Sequence, residues 1–214
     1  MSPRTLFKLI GLTILLPAMG SLASAQTTTD LFDIDTLQEI RLTVSPADWA
    51  QFKANPEKND YYSADLAWRG IVVRNLGIRQ RGTGSRSGTK PYLGLKFDQY
   101  VTNQKFLGLS NLRMKNSMQD PSFLHERLSM LLFRRMGLPA PRESYAKLYV
   151  NSEYSGLYVV MEEIDNTFLD RVFGEHGGCL YGYNWIDEYR FEYLGDDPAL
   201  YAPARFEPKK PVSG

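Results

Sequence analysis

The strongest constraint on the fold is a succession of short segments in which apolar and polar residues alternate. Such alternation is typical of a β-strand that buries one face and exposes the other. Turn-forming residues stand between several of these segments, as at Arg69-Gly70 and Asn151-Ser152-Glu153, and favour hairpins. We therefore expect a mainly antiparallel sheet. Its predicted strands are Leu37 to Val44, Tyr61 to Trp68, Ile71 to Arg81, Tyr92 to Asp98, Asn111 to Lys115, Tyr145 to Val150 and Leu157 to Glu162.

Helical signals are concentrated in one segment, Pro121 to Met136. Asp120 can cap its start, and Gly137 followed by Pro139 can end it. Apolar side chains recur along this segment at helical spacing, which predicts a stripe that faces the core. The members of the stripe are Leu124, Leu128, Leu131, Leu132 and Arg135 with Met136.

Two shorter helices are expected. The first has Ser45 as its N-cap, begins at Pro46 and stops by Asn55-Pro56, and the second runs from Phe168 to Phe173. The resulting order is several antiparallel strands, one packed helix and two further strands. This is an α+β arrangement with the layout of the N-terminal lobe of a protein kinase, although many α+β domains share such an order. We predict one domain of this kind at residues 37–208, preceded by a polar lead at 26–36 and followed by a tail at 209–214.

The first 25 residues differ from the rest of the chain. Arg4 and Lys8 precede or begin an apolar run that continues from Leu9, and the segment ends in Ala23-Ser24-Ala25. Basic, apolar and small residues in this order are typical of a cleavable secretory signal. We therefore predict export to the extracellular space, the periplasm or the cell surface. A membrane anchor is the alternative, but Pro17 interrupts the run of about 20 apolar residues that a span requires.

Charge and cysteine content limit the partners and the metal chemistry. Without residues 1–25, which contain two basic and no acidic residues, the chain has 23 Lys and Arg against 24 Asp and Glu. This balance gives no general attraction to nucleic acid. Cys179 is the only cysteine, and it cannot form an internal disulfide. Cys179 and His176 provide only two ligands, so we predict no metal site there.

A loop rich in Gly, Ser and Thr runs from Gly82 to Thr89 between two predicted strands. Backbone N–H groups in such a loop can approach phosphate oxygens, and Arg81 would add positive charge. The loop has neither the Walker A spacing nor the third glycine of a protein-kinase loop, because Ser87 stands in that place. A flexible hairpin tip is therefore the alternative interpretation.

Three charged residues complete the candidate site, and each has an ordinary structural alternative. Lys96 lies in an otherwise apolar strand and can reach phosphate, or it can simply face solvent. Glu126, early in the predicted helix, can pair with such a lysine or can favour the helix dipole. Glu162 ends a strand and is either a ligand contact or a surface carboxylate.

Several segments, taken in order, resemble the CotH family of atypical protein kinases. The similarity extends from about Ile40 to Pro208. The segments that carry it are Gly77 to Ser85, Lys90 to Asp98, Phe106 to Leu109, Asp120 to Leu128, Gly137 to Arg142, Val150 to Tyr158, Glu162 to Asp165, Tyr193 to Pro198 and Tyr201 to Pro203.

The resemblance implies a phosphotransferase that uses ATP with Mg²⁺ or Mn²⁺ and modifies Ser or Thr of protein partners, spore-coat proteins in the best-known case. Carried over by position, Lys96 would bind phosphate, Glu126 would orient Lys96, and Glu162 would lie near adenine. The residues implied to cover the phosphates are Gly82, Thr83, Gly84 and Ser85 with Arg81.

In this family the catalytic base and the metal-holding carboxylates follow the acidic segment that corresponds to Asp196-Asp197-Pro198, in a C-terminal lobe. We find neither feature before Gly214 and therefore predict a missing C-lobe, no catalytic or metal-binding residue and no independent kinase activity. The alternative is a noncatalytic binding or scaffold protein outside the cell, with Tyr181 to Tyr193 as its interface. A truncated product without function is the third possibility.

Overall fold

The structure is a computed structural model that describes residues 25–184 and 189–210. Nearly all of the predicted signal segment, and residues 211–214 of the predicted tail, therefore lie outside the described residues. No helix in the described ranges combines the length and the apolar character needed to cross a membrane.

Seven strands form a closed barrel, and each of the seven predicted strands is confirmed as a member of it. Neighbours in the barrel follow the order β1-β2-β3-β4-β5-β7-β6. All neighbouring pairs are antiparallel except β1 and β6, which run parallel and close the ring. A separate pair, β8 and β9, forms a two-stranded sheet. The strands are β1 (Leu37–Val44), β2 (Tyr62–Trp68), β3 (Ile71–Gln80), β4 (Leu93–Lys96), β5 (Asn111–Lys115), β6 (Glu143–Val150), β7 (Glu153–Glu162), β8 (Leu180–Tyr183) and β9 (Phe206–Lys210).

Helices occupy the connections. Ser45 accepts a hydrogen bond from the backbone N–H of Asp48 and begins α2, as the sequence predicts. Asp165 begins α4 in the same way, and Gly174, with φ of 75°, ends it. The helices are α1 (Thr28–Leu31), α2 (Pro46–Ala54), α3 (His125–Arg135) and α4 (Asn166–Phe173), with a 3₁₀ turn at Pro198–Leu200.

The core fills the inside of the barrel with alternate residues from its strands. In β1 the buried positions begin at Gln38 and continue through Ile40, whereas Leu37 is 52% exposed. Leu37, although apolar, therefore does not belong to the buried face of this strand. Gln38 takes its place because its side-chain carbonyl accepts a hydrogen bond from Trp68 Nε1 at 3.0 Å, and its amide donates to the carbonyl of Asp30 at 2.8 Å.

The predicted α+β kinase N-lobe is wrong. The chain is mostly β, and β1 pairs with β2 on one side and with β6 on the other. This closure turns the expected open sheet into a ring in which none of the seven strands has a free edge. Alternation along each strand predicts its buried face, but it carries no information about which distant strand becomes its neighbour.

The predicted packing of the long helix is also wrong. Phe123 has a φ of 60°, so a helix cannot run through it from Pro121, and α3 begins at His125. None of the residues in α3 is buried, and Leu128 and Leu132 are each 56% exposed. The apolar stripe therefore faces away from the barrel.

Candidate functional site

A cleft of about 840 Å³ lies on the outer face of β3, β4 and β5. It is outside the barrel because alternate residues point outward: Ile78 and Gln80 are buried, while Arg79 between them is partly exposed. The end of β7 and the β8–β9 sheet form its other walls. Five basic and three acidic side chains line it, so the cleft favours an anionic ligand. They are Arg79, Arg81, Lys96, Arg113, Lys209, Asp98, Glu163 and Asp165.

The middle of the cleft is organised by Glu163. Both of its carboxylate oxygens contact the guanidinium of Arg113, and Arg81 Nη2 lies 3.3 Å from Oε1. Burial alone would lower the pKa of Arg113, but the hydrogen bond and the charge of Glu163 outweigh it and raise that pKa. Arg81 reaches Glu163 by crossing Gly94, where an added Cβ would lie 2.7 Å from Arg81 Cγ. Glycine at position 94 therefore makes room for this arrangement.

One end of the cleft is closed by the connection between β7 and α4. Asn111 Nδ2 donates to Asp165 Oδ2 at 2.8 Å, which ties this connection to β5. The other carboxylate oxygen of Asp165 accepts the backbone N–H of Thr167 at 2.9 Å. Both oxygens are thus engaged, and the position of this end of the cleft is set by β5.

The opposite end of β5 carries an ion pair between Lys115 and Glu126. Sequence reasoning expected Glu126 to orient Lys96, but the structure does not bring those two together. Lys96 Nζ instead lies 4.0 Å from Asp98, and both of these side chains are well exposed. The order of elements along the chain could have indicated the pair of Lys115 and Glu126, because Lys115 ends the strand directly before the helix that carries Glu126. Lys115 also shares the outward face of β5 with Arg113.

The predicted phosphate loop, residues 82–89, is held in place through its carbonyl groups. Side-chain donors bind the carbonyls of Gly82, Gly84, Ser85 and Ser87, at 2.8, 3.3, 2.7 and 3.0 Å respectively. Within the described ranges, the backbone N–H groups of residues 82–88 have no protein acceptor. A loop with occupied carbonyls and available N–H groups is suited to bind an oxyanion.

Two details keep this loop in its conformation. Gly82 has a φ of 92°, and a Cβ there would lie 2.2 Å from Ser85 Oγ, so a larger residue would strain the turn. Arg86 donates to the carbonyl of Glu57 at 2.8 Å and to Asn59 Oδ1 at 2.6 Å. The loop is therefore anchored to the segment after α2, unlike a flexible hairpin tip.

Lys90 places a positive charge beside the loop. Its Nζ lies 4.6 Å from the ring centroid of Phe123 and 5.1 Å from that of Tyr158. In the described part of the chain Lys90 has no carboxylate within ion-pair distance. Burial lowers its pKa. Asn116 donates to the carbonyls of both Lys90 and Ser85 and so connects the loop to the end of β5.

Glu162 has a different environment from Glu163. It is 2% exposed and accepts hydrogen bonds from Arg171 Nη2 at 2.6 Å, Arg142 Nη2 at 2.7 Å and the backbone N–H of Arg142 at 3.1 Å. Burial alone would raise its pKa, but these bonds and the charge of Arg142 outweigh burial and lower it. Its carboxylate is therefore engaged in joining β6, β7 and α4, and its expected contact with adenine stays a prediction.

Comparison with known proteins places these features in a family. Residues 78–210 match the family described as CotH kinase protein, which covers more than half of the chain. Inner spore coat protein H of Bacillus subtilis is 25% identical over 122 residues, which are 57% of this chain and 32% of that protein. Spore coat protein homolog 1 of Rhizopus delemar is 20% identical over 152 residues, 68% of this chain and 24% of that protein.

The chain thus spans about a third and about a quarter of these two relatives. The family match begins in β3 and includes the loop at 82–89, the Lys115–Glu126 pair and every residue that lines the cleft except Tyr61. This chain belongs to the CotH kinase protein family.

Proposed function

We propose that the cleft binds ATP, and that the protein is the nucleotide-binding part of a CotH-type phosphotransferase acting on Ser or Thr of protein partners. The observation that carries this proposal is the continuity of the outward face of β5. Asn111, Arg113 and Lys115 alternate along it, from the connection at Asp165 to the loop at residues 82–89. Successive outward residues are about 7 Å apart, so the row is about 14 Å long and can accommodate an extended nucleotide.

The charges favour one orientation of that nucleotide. The loop at residues 82–89 and Lys90 are both tied through Asn116 to the end of β5 that carries Lys115. The backbone N–H groups of the loop and the ammonium groups of Lys90 and Lys115 would suit the phosphates there. Glu126 would hold Lys115 toward them. The base would then lie toward Glu163 and Asp165, and Lys96 would provide a second cation at that end of the cleft.

We propose no metal site formed by the protein's side chains alone. No group of three or more His, Cys, Asp or Glu side chains suited to an ion occurs within residues 25–184 and 189–210. Mg²⁺ commonly keeps several waters and is held by nucleotide phosphates with one or two carboxylates. We therefore assign the ion to the bound nucleotide and assign no catalytic step to it.

Two of the three cleft carboxylates are engaged by hydrogen bonds or arginines, and Asp98 Oδ1 has no hydrogen-bond partner among the described residues. Glu163 is bound to two arginines, Asp165 is bound to Asn111 and a helix N–H, and Asp98 faces Lys96. We propose that this chain binds nucleotide and does not transfer phosphate unaided. We also propose an exported location at a spore or cell surface, supported by the names of the relatives and by the secretory pattern of residues 1–25.

The decisive experiment is calorimetric titration of ATP with Mg²⁺ or Mn²⁺ into four proteins: the unchanged chain, Lys115→Ala, Lys96→Ala and the control Lys105→Ala. We expect Lys115→Ala to weaken binding about 10-fold to 100-fold, as loss of a phosphate-binding cation does. Lys105→Ala is the matched control, because Lys105 is exposed and outside the cleft. Absence of ATP binding by the unchanged chain would contradict the proposal and favour the noncatalytic scaffold.

The scaffold alternative has its own observation. Phe191 and Tyr193 are 67% and 74% exposed near the β8–β9 sheet, where aromatic side chains suit a protein interface. Residues 185–188 of the segment first considered for this interface lie outside the described ranges.

A further inference from the structure

Helix α3 is attached to the barrel through its charged side. Arg127 Nη1 lies 3.0 Å from Glu143 Oε1, and Arg134 Nη1 lies 2.8 Å from Glu143 Oε2. Glu143 is buried in β6, so these bonds fix the helix firmly to one side of the barrel. Glu126 faces the barrel as well, through its pair with Lys115.

The opposite side of α3, with the residues just before and after it, carries most of the exposed apolar side chains of this region, together with exposed His125 and Arg135. Six large side chains there are between 39% and 63% exposed. At roughly 100 Å² each they present about 600 Å² of apolar surface, the upper end of what monomeric proteins show in one patch. We call this surface the α3 ridge. Its members are Leu124, Leu128, Leu132, Phe133, Met136 and Leu138.

The spacing of the α3 ridge determines how it can pack. Leu124, Leu128, Leu132 and Met136 follow one another at intervals of four residues, and such rows interdigitate with an identical row at a crossing angle of about 50°. Ser129, a small exposed residue near the midpoint, allows the two helices to approach closely. A row of this kind is complementary to itself about a two-fold axis between Leu128 and Leu132.

We propose that two copies of this chain dimerise through the α3 ridge. Burying all of it in both copies would remove at most about 1,200 Å² from water, which equals the lower limit for specific interfaces. Antiparallel helices place their dipoles favourably, and about the same axis His125 of one copy faces Arg135 of the other at the rim of the interface. The proposal is independent of nucleotide binding, because Glu126 and Lys115 lie on the barrel side of α3.

Sedimentation velocity over a concentration series tests the dimer with the unchanged chain and the double variant Leu128→Glu/Leu132→Glu. We expect a concentration-dependent dimer whose dissociation constant rises at least about 100-fold in the variant, because the charges replace the centre of the interface. Leu37→Glu is the matched control, since Leu37 is similarly exposed but lies on β1. Circular dichroism should show all three proteins equally folded.

A mixing experiment tests the two-fold axis itself. Leu128 of one copy should face Leu132 of the other, so Leu128→Glu and Leu132→Lys should each be monomeric and should dimerise when mixed. A monomer at every concentration in the unchanged chain would overturn the proposal. So would a dimer that survives the double variant, as association through residues 1–25 would produce, or a mixture that remains monomeric.

Discussion

Replacing Glu162 by Gln separates a structural role of this carboxylate from a ligand-binding role. Glutamine has nearly the same shape, but it is neutral and presents an NH₂ group where an arginine now donates. Whichever oxygen is replaced faces two donors, since Oε1 accepts from Arg142 Nη2 and Arg171 Nε, and Oε2 accepts from Arg142 N and Arg171 Nη2.

The decrease in the free energy of unfolding caused by Glu162→Gln can be estimated from the burial of the ion pairs. Removing one partner of a buried ion pair costs about 3–5 kcal/mol. Arg142 and Arg171 keep 24% and 34% of their side-chain surface exposed, so water compensates for part of the loss. We therefore expect the lower end, a decrease of about 3 kcal/mol in the free energy of unfolding at pH 7.

The effect should depend on pH in a defined direction. The pKa of Glu162 is lowered in the folded state. Its contribution to the free energy of unfolding is therefore complete above its pKa in the unfolded chain, about 4.3, and is lost as pH falls through its pKa in the folded state. Urea unfolding of both proteins between pH 7 and pH 3 should show the difference shrinking on acidification. A difference below about 1 kcal/mol at pH 7, or one that is constant with pH, would refute this reasoning. A selective loss of ATP affinity with unchanged stability would instead support the predicted adenine contact.

Three further substitutions test the cleft and its loop. Gly94→Val should displace Arg81 from Glu163 and change the ATP affinity. The circular dichroism spectrum should be preserved, because the obstructing atoms belong to the flexible side chain of Arg81. An unchanged affinity would contradict ATP binding in the cleft. Gly82→Ala should lower the free energy of unfolding by about 1–2 kcal/mol, because φ at this position is 92°. It should also weaken ATP binding in calorimetry, and full affinity would show that the loop is not part of the ATP site. Lys90→Met should alter thermal stability little, by about 0.5 kcal/mol, yet reduce ATP affinity about tenfold, and equal affinity would remove Lys90 from the site.

Local features of the candidate site were accessible to sequence reasoning to different degrees. The segment 82–89 was identified as a loop because glycine and serine favour turns, and its role in binding phosphate stays a prediction. The side chain of Arg81 lies across Gly94 and contacts Glu163 in the cleft. Lys115 was missed because an apparently ordinary charged residue at a strand end carries no local signal. Only the contact between β5 and α3 shows that it, rather than Lys96, meets Glu126.

By itself, the sequence determined the seven strand segments, the short helix after Ser45 and the hairpin turns, since these depend on side-chain alternation and turn chemistry within a few residues. Tertiary structure decided the closure of the barrel, because the pairing of β1 with β6 joins residues about 100 positions apart. It also decided the orientation of α3. Periodicity identifies an apolar stripe but not its partner, and here the charged bonds to Glu143 hold the other side of the helix against the barrel.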